Sequence, residues 1–98
     1  MINVGMYYNV KEGHDEEFEK IFLGAAEKLK EASAGLLNAK LYKEVGKREY
    51  LIYTEWEDIG SFKDFMQSRA FSEITTHGKE IIDGRPRHRI FTDINERD

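Results

Sequence analysis

No cysteine occurs in the chain. Disulfides, thiolate catalysis and cysteine-ligated metal sites are thereby excluded. No apolar run is long enough for a signal sequence or a membrane span. The opening stretch Met1-Ile2-Asn3-Val4-Gly5-Met6 carries no basic leader, so a cytoplasmic protein is expected. Positive charge is not in excess either. Fifteen Lys and Arg against nineteen Asp and Glu leave a net charge of −4, and nothing draws the whole chain to nucleic acid or to an anionic membrane. The glycines are scattered: Gly5 and Gly13 stand alone, and no phosphate-cradling loop is formed. Internal repeats, low-complexity stretches and linkers are absent.

Aromatic residues, by contrast, are abundant. Six Phe, five Tyr and one Trp in 98 residues favour a packed core or pocket over a disordered tail. The length makes one domain, 1–98, with its core at about 2–94. A domain so small has a thin core and keeps much of its surface exposed.

Residues 2–10 alternate. Ile2, Val4, Met6, Tyr8 and Val10 fall on one face, and Asn3, Gly5, Tyr7 and Asn9 on the other; a period of two predicts a strand. After the turn Lys11-Glu12-Gly13 the period becomes three and four. Phe18, Ile21, Phe22, Ala25, Ala26, Leu29 and Ala32 make the apolar side of an amphipathic helix. Asp15, Glu16 and Glu17 near its start and Lys28 and Lys30 near its end suit the helix dipole, and Gly35 is a stop signal. Residues 36–45 and 49–56 predict two strands joined by Gly46-Lys47-Arg48 as an antiparallel hairpin.

Asp58 or Ser61 caps the next helix, whose apolar side is Phe62, Phe65 and Met66. Phe71, Ile74, Gly78, Ile81 and Ile82 give a second helical stripe. Gly84-Arg85-Pro86 breaks it, residues 87–94 suit a last strand, and the tail from Asn95 to Asp98 is expected to fray. The order β-α-β-β-α-β, with the second helical part in two pieces, is the ferredoxin-like pattern of an α+β antiparallel sheet.

The strands are apolar on both faces. Tyr50, Ile52, Thr54 and Trp56 oppose Leu51 and Tyr53; Leu37, Ala39 and Leu41 oppose Leu36 and Tyr42; Ile90 and Ile94 oppose Phe91. Two helical segments cover one face of a four-stranded sheet. The uncovered face then predicts an interface, most economically a two-fold homodimer packed sheet against sheet.

The aromatic end of the third strand, with Trp56-Glu57-Asp58 followed by Ser61-Phe62, Phe65, Ser68 and Phe71, resembles the antibiotic biosynthesis monooxygenase (ABM) domains. These belong to the dimeric α+β barrel superfamily, together with haem-degrading monooxygenases. The resemblance runs over about residues 2–93 and implies a ligand held between sheet and helices in each subunit. In the haem-degrading branch it implies roles for an Asn on the first strand and for a Trp and a His on the helices after the third. Those positions fall here on Met6, Phe65 and Thr75, with His77 two residues beyond. Asn9 is on the same strand but points to the other face. Thr75 faces inward with Phe71 and Gly78, whereas His77 lies roughly 100° from the centre of that stripe. The haem-degrading reading is weakened accordingly. The cofactor-free branch oxidises phenolic or quinone-like aromatics with Trp and amide side chains on the sheet. Trp56 matches that Trp, and Asn38 is the amide candidate.

Each candidate also has a packing reading. Trp56 either walls a pocket and donates its indole N–H or closes the core at the strand end. His77 is the titratable candidate, as base or ligand, but with Glu73 alone it closes no metal site, and no metal is expected. Arg85, Arg87, His88 and Arg89 form one basic cluster, better suited to solvent or interfacial pairing than to a ligand. The expectation is therefore a homodimer with one apolar pocket per subunit holding a planar aromatic, either a phenol or quinone or a tetrapyrrole. His77 and Trp56 are its catalytic candidates, and Met6, Tyr8, Phe22, Phe65 and Thr75 its wall. No cofactor is expected, haem being the one the resemblance admits. The alternative is a non-catalytic dimeric module of the same fold that binds a small ligand or serves in stress.

Overall fold

The computed structural model describes residues 1–32 and 34–95. Seven elements follow in order: β1 (Ile2–Val10), α1 (Asp15–Ala32), β2 (Leu36–Lys43), β3 (Glu49–Trp56), α2 (Ile59–Met66), α3 (Arg69–Gly78) and β4 (Ile82–Thr92). The strands form one antiparallel sheet in the order β2-β3-β1-β4. This is the expected α+β ferredoxin-like arrangement, with the helices against one face. The fraying expected at 96–98 and the inward side of Ala32 lie outside what is described.

Register decides which side chains meet. Met6 stands opposite Ile52 on β3 and opposite His88 on β4. Two departures from the expected strands have local causes. In β2 the pairing shifts between Leu36 and Asn38. A bulge of this kind turns the residue before it, so Leu36, not Leu37, joins the helix side; Leu37 is left half exposed.

In β4 the strand begins at Ile82, not at 87, and ends at Thr92. The apolar spacing through Ile81 and Ile82 reads as helix, yet Ile82 pairs with Val10 and Asp83 with Asn9. Pro86 survives inside the strand because β4 is an edge strand and its register is interrupted there. Gly84, at φ +70°, takes the left-handed turn that the interruption needs.

The second helical part splits at Ser68. Its hydroxyl donates to the Phe65 carbonyl (2.6 Å) and accepts from the Phe71 N–H (3.2 Å), ending α2 and starting α3. Asp58, rather than Ser61, is the N-cap of α2, accepting from the Ser61 N–H at 2.8 Å.

Two apolar clusters fill the space between sheet and helices. Val4, Met6, Trp56, Phe62 and Phe65 form one. Val10, Phe18, Tyr50 and Ile81 form the other. Tyr50 also ties α1 to the sheet: its hydroxyl donates to Glu19 (2.5 Å) and lies 3.3 Å from Asp15, which in turn pairs with Lys43 at 3.0 Å. Burial, followed by the two carboxylates, pushes the Tyr50 hydroxyl pKa upward, so it stays a donor. No described helix is long and apolar enough to cross a membrane.

Candidate functional site

Between the two clusters lies a partly enclosed cavity of about 330 Å³. The even-numbered face of β1 provides its floor with Met6 and Tyr8, and β3 continues it with Ile52, Thr54 and Trp56. Helix α1 closes one side with Ile21, Phe22 and Ala25, an outcome of its three- and four-residue apolar spacing. Helices α2 and α3 close the other with Phe65, Phe71 and Ile74. Thr75 stands at the mouth, and Pro86 and His88 bring β4 to the rim.

One end of the cavity is strongly aromatic. Trp56 meets Phe65 at 5.3 Å between ring centroids, and Phe65 meets Phe71 edge-on at 5.2 Å. Phe62 supports Trp56 from behind at 5.7 Å. Such tilted and edge-on pairs hold ring faces rigidly. They line that end of the cavity with apolar ring faces and edges.

Polar groups in the wall are few. The indole Nε1 of Trp56 donates to Thr54 Oγ1 at 2.9 Å, and that hydroxyl lies 3.5 Å from the Val4 carbonyl. Thr75 Oγ1 donates to the Phe71 carbonyl at 2.8 Å, within its own helix. The Tyr8 hydroxyl approaches only the Met6 sulfur, at 4.0 Å. Burial raises the Tyr8 pKa to about 12. Partial desolvation lowers that of His88, which stands exposed at the rim. Both groups are neutral at pH 7.

Of the sequence candidates, Met6, Tyr8, Phe22, Trp56, Phe65 and Thr75 all line this one cavity. His77 does not: it is exposed in the last turn of α3. The helix runs regularly through Gly78, so nothing rotates His77 inward from the edge of the stripe. Asn38 also turns away. It pairs with Glu55 on the open face and its carbonyl oxygen accepts from the Ala39 N–H at 3.0 Å. Among the described residues no Asn or Gln lines the cavity.

The imidazole that reaches the cavity is His88, grouped by sequence with the arginines. Alternation along β4 splits that cluster. His88 shares the face of Met6, while Arg87 and Arg89 face the opposite side. The period-two signal was present at 87–89; what was missing was the register that sets His88 beside Met6.

The opposite face of the sheet is uncovered by helices. A broad hollow there is lined by Tyr7, Glu49, Arg87 and Arg89, and His88, on the edge strand, borders both this hollow and the cavity. Arg87 lies 4.0 Å from Glu49 and stacks over the Tyr7 ring at 5.8 Å. The hollow is larger but open and charged, so the partly enclosed apolar cavity is the better candidate for a bound small molecule. Leu51, Tyr53 and Tyr7 lie beside Gly5 on this face. Among the described residues no group of three or more His, Asp or Glu is arranged to hold a metal.

Comparisons with known proteins agree with this architecture. A Natronomonas pharaonis protein provisionally named a haem-binding protein is 29% identical over 85 residues. Those residues are 87% of this chain but 14% of that relative, so the chain spans a small part of it. A structure provisionally named an antibiotic biosynthesis monooxygenase, from Caulobacter crescentus, superposes with a TM-score of 0.87 at 21% identity, over 95% of this chain and 89% of that one. SnoaB, a cofactor-independent oxygenase from Streptomyces nogalater, superposes with a TM-score of 0.82 at 21% identity, over 95% and 92%. At those identities the likeness is one of fold. The family profile described as antibiotic biosynthesis monooxygenase matches residues 1–76, from β1 through most of α3, and the chain belongs to that family.

Proposed function

We propose that the protein is a cofactor-independent monooxygenase of the ABM type, acting as a homodimer on a small phenol- or quinone-like aromatic. The observation that carries this reading is the partly enclosed cavity of about 330 Å³ with its Trp56–Phe65–Phe71 wall. A cavity of this size has room for a ligand of one or two fused rings. An apolar enclosure of this kind holds a neutral ring and dioxygen together and keeps water out. An electron-rich phenol or hydroquinone supplies the electrons itself. One oxygen atom ends in the product and the other in water.

The residues around the cavity favour a smaller, cofactor-free ligand over haem. The amide expected of the haem-degrading branch is absent, with Met6 in its place, and His77 lies outside. The provisional haem-binding name belongs to a much longer relative. Haemin titration is expected to give no Soret shift. A shift that disappears in His77→Ala or His88→Ala would replace the present reading.

Oxygen uptake with a panel of hydroquinones tests the proposal. Uptake with at least one, reduced in Trp56→Phe, is expected. The occupied indole N–H of Trp56 and the outward Asn38 favour a second reading, a non-catalytic dimeric module that binds the same class of ligand. No uptake with any compound, with binding retained, would establish that module instead.

A further inference from the structure

Five polar side chains line the cavity: Tyr8, Thr54, Trp56, Thr75 and His88. Three are occupied. Trp56 donates to Thr54, Thr54 lies against the Val4 carbonyl, and Thr75 donates to Phe71. Two are left. The Tyr8 O–H has only a sulfur at 4.0 Å, a weak acceptor. The His88 ring makes no hydrogen bond among the described residues. These two stand on neighbouring strands and on the same face, Tyr8 two residues along β1 from Met6 and His88 directly opposite Met6.

We propose that Tyr8 and His88 are the specificity-determining end of the cavity, and that they select an aromatic ligand by a ring hydroxyl. The hydroxyl accepts from the Tyr8 O–H and donates to a nitrogen of the neutral His88 ring. A hydroxyl is both donor and acceptor, as this pair requires. A carboxylate or phosphate is not, and no charged side chain is found among the described residues lining the cavity to hold one. Arg87 and Arg89, the cations nearest in sequence, face the other side of the sheet. Both groups are neutral: burial raises the Tyr8 pKa to about 12, and partial desolvation at the exposed rim lowers that of His88. Site selectivity of this type exceeds what shape alone supplies, because a ligand lacking the hydroxyl leaves the Tyr8 O–H inside the cavity unpaired, while His88 at the exposed rim adds the acceptor.

This inference rests on the aromatic-ligand reading of the cavity, and its test separates the two. Isothermal titration calorimetry compares 1-naphthol with 1-methylnaphthalene, which has nearly the same shape and no hydroxyl. Wild-type protein is expected to prefer 1-naphthol by about tenfold, a typical worth for a paired buried hydroxyl. Tyr8→Phe and His88→Leu should each remove most of that preference while leaving 1-methylnaphthalene binding within about twofold. His88→Gln, which keeps an acceptor, should retain it. Circular dichroism checks that each variant is folded, and if Tyr8→Phe is not, the two His88 variants decide. Binding of both compounds without preference, or a preference that survives both substitutions, overturns this inference alone. Binding of neither overturns it together with the aromatic-ligand reading.

Discussion

Thr54 controls what the single tryptophan is able to do. It is buried, accepts the Trp56 N–H and lies against the Val4 carbonyl. Thr54→Val keeps the shape and removes the acceptor, leaving a buried indole N–H without a partner. A loss of about 1–3 kcal/mol in urea denaturation is expected, with a change in Trp56 emission. The aromatic character of Trp56 was readable from the strand end. That its N–H is satisfied two residues away was not, because the pairing depends on side-chain geometry across a pleat.

His88 carries a second expectation at this scale. Partial desolvation lowers its pKa below the ordinary value of 6.5, although the ring is exposed at the rim, so the unfolded chain binds the proton first. Its contribution to stability is intact above 6.5 and is lost as pH falls below it, through the folded-state value. Met6 and Tyr8 on β1 and Pro86 on β4 share its face, with no charge among them to offset this, while Arg87 and Arg89 face away. Denaturation at pH 7.5 and at pH 5.5 should show a smaller loss on acidification in His88→Leu than in wild type.

Helix boundaries rest on two short devices. Ser68 serves both helices at once, so Ser68→Ala should cost about 1 kcal/mol, the usual worth of an N-cap, read as a lower urea midpoint. Gly35 shows a tighter constraint. It sits at φ +87°, its carbonyl accepts from the Glu57 N–H at 2.8 Å, and an added Cβ would fall 2.3 Å from Ser61 Oγ. Gly35→Ala adds a left-handed penalty of ~1–2 kcal/mol to that overlap. Clear destabilisation is expected, only partly relieved by Ser61→Gly. The stop at Gly35 was legible, and the cap was narrowed to Asp58 or Ser61, because both signals are local. The start of β4 was not. Ile81 and Ile82 continue a helical spacing, and only pairing with β1 tells Ile82 to extend and frees Ile81 to fill the core beside Val10 and Phe18.

At the scale of the molecule, the sheet has one face under the helices and one without them. Leu51, Tyr53 and Tyr7 on the second face fit a copy-to-copy contact rimmed by Glu49, Arg87 and Arg89. Sedimentation equilibrium at micromolar protein should give a dimer. Leu51→Asp, which puts a charge at the middle of that face, should weaken it by at least about tenfold. A monomeric wild-type chain would remove the assembly from the proposal while leaving the cavity in place.

Periodicity is a property of neighbours along the chain, and by itself it determined the element order and the inward faces of β1 and α1; Met6, Trp56, Phe65 and Thr75 were singled out only with the help of the family resemblance. Neighbours across the sheet are another matter. The strand order β2-β3-β1-β4, the bulges that turn Leu36 inward and carry Pro86, and the choice of His88 over His77 all depend on register. Register is set when distant segments compete for the same hydrogen bonds and the same core volume. Only the folded chain resolves that competition.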